Sequence, residues 1–262
     1  MTTEPKVALK EYKAVILEQR QAQNLGFAGV DPALYPAGQE ELSIVGNECF
    51  RAIAAAGRPL DGFIHTESRF RLSEPLPIDQ VVFARGTIEE FADTPKGPRV
   101  HYRFDIQPHN RSKPSAVIDI IGLQSGEGLL VRQPKPAAAK PPVDPFLGYK
   151  AVGKHQLKPN LVERYSRYAG NKVHFDPIFA QKLGLKMPVA QGFMQLTMML
   201  GVLAKAGPIK SLDLTVKFPR PCFATDEVAI WAREKAPGQI AGLKTSVGGK
   251  PTAEASIAAI GR

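Results

Sequence analysis

Eight stretches of this chain read as strand-like runs, and the clearest of them alternates apolar and polar residues with the two-residue period of a half-buried strand. Four lie early, at 63–72, 81–91, 99–106 and 116–124, and four lie late, at 211–218, 227–234, 240–247 and 253–260. In 211–218, Leu212, Leu214, Val216 and Phe218 share one face, with Asp213, Thr215 and Lys217 on the other. A helical pattern precedes each set. Over 39–56, Leu42, Val45, Cys49, Ile53 and Ala56 fall on one stripe. The run 189–206 is apolar nearly all round, which marks a helix buried on most sides. A long helix followed by antiparallel strands, twice over, predicts an α+β protein of two similar halves, with no sequence identity between them worth quoting.

The boundary between the halves is compositional. Residues 133–145 read Q-P-K-P-A-A-A-K-P-P-V-D-P, which can neither add a central strand nor continue a helix. The predicted division is an N-terminal unit at 1–133, a Pro/Ala-rich linker at 134–145 and a C-terminal unit at 146–262. At 262 residues the chain is long enough to bury a substantial core. The run 189–206 carries Gln191, Gln195 and Thr197, so a buried helix is expected there rather than a membrane span. The N-terminus has neither the apolar core of a signal peptide nor a transit-peptide composition, so a cytoplasmic location is expected. Cys49 and Cys222 give no disulfide framework, and five scattered histidines form no cluster for a metal. No cofactor is expected. The formal charge of +9 resides wholly in residues 141–262, which hold 17 Lys and Arg against 8 Asp and Glu. The basic residues are dispersed, with none of the patterning that reads nucleic acid. They suit either a solubilising surface or the steering of an anionic ligand.

The chemistry-bearing stretch is 165–192, Y-S-R-Y-A-G-N-K-V-H-F-D-P-I-F-A-Q-K-L-G-L-K-M-P-V-A-Q-G. Pro159 suits the first turn of a helix over 158–169, and Gly170 ends it. Asp176-Pro177 opens the next helix, 177–183, with Asp176 as N-cap. The loop 171–175 is therefore pinned at both ends and presents His174. A general acid or base on such a loop can face a pocket, and the free N–H groups at the start of the buried helix, near Gly192, can hold a developing oxyanion.

The order A-G, short polar turn, V-H-F-D-P, small helix, G-L-x-x-P-V-A-x-G and buried helix resembles the MaoC-like (R)-specific enoyl-CoA hydratases and 3-hydroxyacyl-thioester dehydratases. These are members of the hot-dog superfamily. The family motif is S-G-D-x-N-P-I-H-x-D-P, followed by P-I-A-H-G. The resemblance covers about 100 residues of the C-terminal half and implies a double hot-dog for the whole chain: each antiparallel sheet wraps its own long helix, and the sheets join. It implies that His174 is the catalytic histidine, Asn171 the asparagine three before it, Asp176 the acid after it and Gly192 the oxyanion glycine. Three positions depart from the pattern. Counted back from His174 without a gap, Ala169 stands where the family has its catalytic Asp, or else the turn is two residues short and the Asp is deleted; Lys172 replaces a Pro, and Gln191 replaces the His before the glycine. The segment G-N-K-V-H-F-D is closer to the N-G-H-R-I-H-Y-D of a divergent branch resembling mesaconyl-C4-CoA hydratases.

The resemblance implies hydration of an enoyl thioester, or its reverse, on coenzyme A or an acyl carrier protein. It further implies no nucleic-acid or membrane partner, and a homodimer. His174, Asn171 and Gly192 are the expected catalytic residues, with Gln191, Tyr168 and Asp176 near the substrate. Each also has a structural reading: Asn171 as a turn residue, Asp176 as a helix cap, Gly192 as a close-packing point, and Tyr165 and Tyr168 as helix-face packing. His65, His101 and His109 of the first half are read as structural or surface residues. That half lacks the catalytic turn. Its small residues Ala52, Ala54, Ala55, Ala56 and Gly57 either widen a groove for an acyl chain or pack closely. With Ala169 in place of the Asp, a non-catalytic acyl-thioester-binding subunit is the competing expectation.

Overall fold

Two long apolar helices back to back under one continuous sheet organise the chain. The computed structural model describes residues 6–95, 97–124 and 144–262. The first half contains β1 (Val7–Ala8), β2 (Tyr12–Val15), α1 (Glu18–Phe27), α2 (Leu42–Ala55), β3 (Phe63–Leu72), β4 (Val81–Ala92), β5 (Arg99–Pro108) and β6 (Ala116–Gln124). The second contains β7 (Lys150–Gln156), α3 (Pro159–Ser166), α4 (Pro177–Lys182), α5 (Gly192–Ala204), β8 (Ser211–Lys217), β9 (Glu227–Ala236), β10 (Gln239–Val247) and β11 (Lys250–Gly261).

All strand pairings are antiparallel, in the order β1-β4-β5-β6-β3-β8-β11-β10-β9-β7, with β2 also on β4. The halves meet at β3 and β8, in register from Glu67 opposite Lys217 to Leu72 opposite Leu212. Phe218 N–H donates to Thr66 O at 2.9 Å just beyond that register. Leu212, Leu214 and Val216 are buried on the face predicted from their alternation.

The sheet wraps α2 and α5, and one hydrophobic core runs through both halves, from Ile44, Val45 and Ile53 to Phe193, Leu196 and Leu203. The helices approach closely at Gly46, where an added Cβ would lie 2.5 Å from the Phe193 ring. Burying each large side chain here contributes about 1.5–3 kcal/mol. A second cluster places Leu25, Ala28 and Val30, from α1 and the turn after it, against Tyr165, Met194 and Met198. The two halves thus share a sheet and a core. Of the predicted linker, 134–143 lies outside the described residues.

Four elements had no counterpart in the sequence reading. Helix α1 buries Gln21 and Asn24 beside Leu25, so its inward stripe is partly polar and carries little apolar period. Strand β7 is largely exposed and owes its place to pairing with β9 rather than to an apolar face. Strands β1 and β2 are too short for alternation to register. The helix expected over 189–206 begins at Gly192, because Val189 forms an isolated bridge with Phe223 instead. Among the described residues, no helix is long and apolar enough to cross a membrane.

Candidate functional site

The 171–175 segment forms a single 3-10 turn, Lys172–His174, tied to both halves. Asn171 caps it, its Oδ1 accepting from Val173 N–H at 3.2 Å, and its Nδ2 donates to Phe63 O of β3 at 3.0 Å. Lys172 pairs with Asp61 at 2.8 Å, ahead of the same strand. Asp176 then caps α4, accepting from Ile178 N–H at 2.9 Å and Phe179 N–H at 3.0 Å. Gly170 and Gly184, with φ of +87° and +85°, supply the left-handed exits of α3 and α4.

These ties aim His174 at the entry to α5. Its ring is half-buried, with Nδ1 2.9 Å from Val189 O. A carbonyl can only accept, so Nδ1 carries the hydrogen and Nε2 presents a lone pair. Burial lowers the pKa to about 4, against the opposing pull of the Val189 hydrogen bond. The ring is therefore neutral at pH 7 and holds a base's lone pair in a fixed tautomer. The strap under it is firm. Val189 N–H donates to Val173 O at 3.3 Å and Ala190 N–H to Cys222 O at 2.7 Å.

Two residues further on, α5 starts without a side-chain cap. Among the described hydrogen bonds none uses the N–H of Gly192 or of Phe193. The first helix differs. Glu41 caps α2, accepting from Ser43 N–H at 3.1 Å and Ile44 N–H at 3.2 Å, and burial lifts its carboxyl to about 7. The start of α5 can therefore receive a carbonyl oxygen, while the equivalent end of α2 is closed by its own carboxylate. An added Cβ at Gly192 would meet the Phe218 ring at 2.9 Å, so the backbone there lies close under the sheet.

The remaining expected site residues have structural partners. Gln191 is buried, its Nε2 donating to Asn47 Oδ1 of α2 at 2.7 Å. Its Oε1 has no partner among the described residues. The Tyr168 ring is taken up between the guanidinium groups of Arg20 and Arg51, at 3.9 and 4.1 Å from its centroid. These two cations hold the ring against α1 and α2. The amide of Asn171 bonds the backbone at both ends, which positions the turn. Ala169 is buried in the main core. In the first half, Ala52 is buried while Ala54, Ala55 and Gly57 are exposed at the end of α2.

Two features escaped the sequence reading. One is the polar seam between α2 and α5: Tyr165 Oη and Ser43 Oγ meet Thr197 Oγ1 at 2.8 and 2.6 Å. The other is His65, whose ring packs 4.8 Å from Phe193 and 4.6 Å from Phe218. A β-bulge between His65 and Glu67 turns this side chain to the face that Ser68 and Phe70 occupy. The signal was present: Phe63 and Phe70 are seven residues apart, an odd spacing that cannot share a face in a regular strand.

No protein-family model and no curated protein matches the chain. Solved structures do. HtdX from Mycobacterium tuberculosis is similar at 20% identity and a TM-score of 0.75, covering 96% of this chain and 98% of that one. A MaoC-like dehydratase from Phytophthora capsici is similar at 17% identity and a TM-score of 0.64, with 98% and 96% covered. A conserved hypothetical protein from Mycobacterium tuberculosis, described as having a double hot-dog fold, matches at 12% identity and a TM-score of 0.63, with 95% and 94% covered. With its two buried helices under one antiparallel sheet, the chain has the double hot-dog fold, the architecture it shares over nearly its whole length with HtdX and MaoC-like dehydratases.

Proposed function

We propose that this protein is a hydro-lyase that adds water to an enoyl thioester, or removes it from the 3-hydroxyacyl thioester. The observation that carries the reading is the pairing of His174 with the uncapped start of α5. The strand-like strap at Val189 fixes the imidazole hydrogen on Nδ1, and the free N–H groups lie at Gly192. Hydration needs a base for a water proton at C3 and donors for the charge that collects on the thioester oxygen. His174 Nε2 takes the proton, the Gly192 end of α5 stabilises the enolate, and the protonated imidazole returns the proton to C2 on the same face. The neighbours described as MaoC-like dehydratases support this class of reaction.

The carrier fits as coenzyme A or an acyl carrier protein, whose acidic groups the +9 charge of the chain would steer. One observation favours a second reading, a thioester-binding subunit without turnover: Ala169 is apolar and buried where a carboxylate partner for His174 is expected. Loss of enoyl absorbance with crotonyl-CoA, a longer enoyl-CoA and mesaconyl-CoA tests the proposal. Turnover that falls about 10²–10⁴-fold in His174→Ala supports it. Binding of all three without turnover replaces it with the second reading, and undiminished turnover in His174→Ala removes the assignment of the base.

A further inference from the structure

His65 is a buried nitrogen base that the reading above does not use. Its Nε2 lies 2.7 Å from Ser68 Oγ and 3.2 Å from Glu67 O. The carbonyl contact requires the hydrogen on Nε2, which leaves a lone pair on Nδ1. That atom is buried and has no partner among the described residues. A buried acceptor without a donor is costly and calls for an explanation.

Its surroundings locate it. Phe193, which packs on the ring, directly follows Gly192 in the chain. Phe218, which packs on it from another side, is the ring that an added Cβ at Gly192 would strike. Two residues before His65, Phe63 O receives the Asn171 amide that holds the His174 turn. His65 thus borders both the base and the donor end of the site, although it belongs to the other half of the chain. Within the turn, Asn171 bonds the backbone through both ends of its amide, and Asp176 uses Oδ1 to cap α4.

We propose that His65 holds the reacting water by accepting one of its O–H groups at Nδ1 while His174 accepts the other at Nε2; in the reverse direction the single O–H of the 3-hydroxyl donates to His65 Nδ1 and the departing oxygen takes its proton from His174. The proposal rests on the hydro-lyase reading. On attack, the O–H bond to His174 breaks and the oxygen pair forms the bond to C3. The π pair moves to the thioester enolate, and C2 then takes the proton that His174 holds. His65 stays neutral throughout, its own hydrogen on Nε2. Burial keeps both rings uncharged, and His65, lowered to about 3 and further disfavoured by a charge on His174, is the weaker proton acceptor of the two.

The test compares full-length His65→Phe, which keeps an aromatic ring without the lone pair, with His65→Asn, which returns an acceptor near Nδ1. With crotonyl-CoA, the Phe variant should lose about 100-fold in kcat with KM within roughly threefold of wild type, and the Asn variant should recover at least about tenfold. A folded Phe variant with kcat within roughly threefold of wild type overturns the proposal. If the Phe variant does not fold, His65→Gln decides, because Gln restores the Ser68 contact but not Nδ1: low kcat sustains the proposal and full kcat overturns it. If wild type turns over no enoyl thioester, the hydro-lyase reading fails separately, and calorimetry with 3-hydroxybutyryl-CoA and butyryl-CoA takes over. Wild type should then prefer the hydroxylated ligand by about tenfold, the worth of one buried hydrogen bond. An unchanged preference in the folded variant overturns the role of His65.

Discussion

Removing the Asn171 side chain should loosen the His174 turn from the first half of the molecule. In Asn171→Ala the 3-10 turn loses its cap, the 3.2 Å bond from Val173 N–H, at about 0.5–2 kcal/mol. Phe63 O loses the 3.0 Å donor it now has, and leaving a buried acceptor unsatisfied costs about 1–3 kcal/mol. Together these give a loss of about 1.5–5 kcal/mol, which for a chain of this size lowers Tm by roughly 3–20 °C. Asn171→Asp separates the two terms, since it keeps the capping oxygen and replaces the donor with a second acceptor facing Phe63 O. Only its protonated form can donate there, so its folded pKa is raised above the unfolded value. Its stability relative to wild type should therefore be greatest below the unfolded carboxyl pKa and be lost as pH rises through the folded one. Thermal melts of the wild type and both variants at pH 5 and pH 8, followed by circular dichroism, measure this. An Asn171→Ala Tm within about 2 °C of wild type, or an Asn171→Asp Tm no more sensitive to pH than wild type, refutes the reasoning.

Further expectations concern the site itself. Because His174 must be unprotonated to take a proton and its pKa is lowered to about 4, kcat/KM should rise with pH through that value and stay flat to pH 8; a limb between pH 6 and 7 would contradict the burial argument. Gly192→Ala brings a Cβ within 2.9 Å of the Phe218 ring, and the displacement should cost roughly 10²-fold in kcat. Adding Phe218→Leu should restore part of that loss, and no recovery would locate the defect elsewhere. Asp176→Ala should lose about 0.5–2 kcal/mol in a denaturant titration while keeping most of its activity, since the side chain serves as the cap of α4. A collapse of kcat at unchanged stability would move Asp176 into the chemistry.

The sequence by itself determined the elements whose information is local. The bounds of strands β3 and β6 were legible to the residue, because runs rich in β-branched and aromatic side chains are a local signal that needs no tertiary knowledge. The cap at Asp176 and the glycine exits at Gly170 and Gly184 were legible for the same reason, as short-range backbone chemistry. His174 stood out through its pinned turn. What only the tertiary structure decided is how groups far apart in the chain meet. The tautomer of His174 depends on a carbonyl 15 residues away, and the amide donor of Asn171 finds its acceptor on a strand 108 residues away. Tyr168 reads as a helix-face aromatic, and that Arg20 and Arg51 close on it from α1 and α2 is seen only in the fold. His65 reads only as a structural or surface residue until the bulge after it shifts the register by one and turns the ring to the inner face. Local patterns fix an element and its faces, but a bulge, a long-range hydrogen bond or a stacked cation is settled only when the halves pack, and the chemistry of this site lies in those contacts.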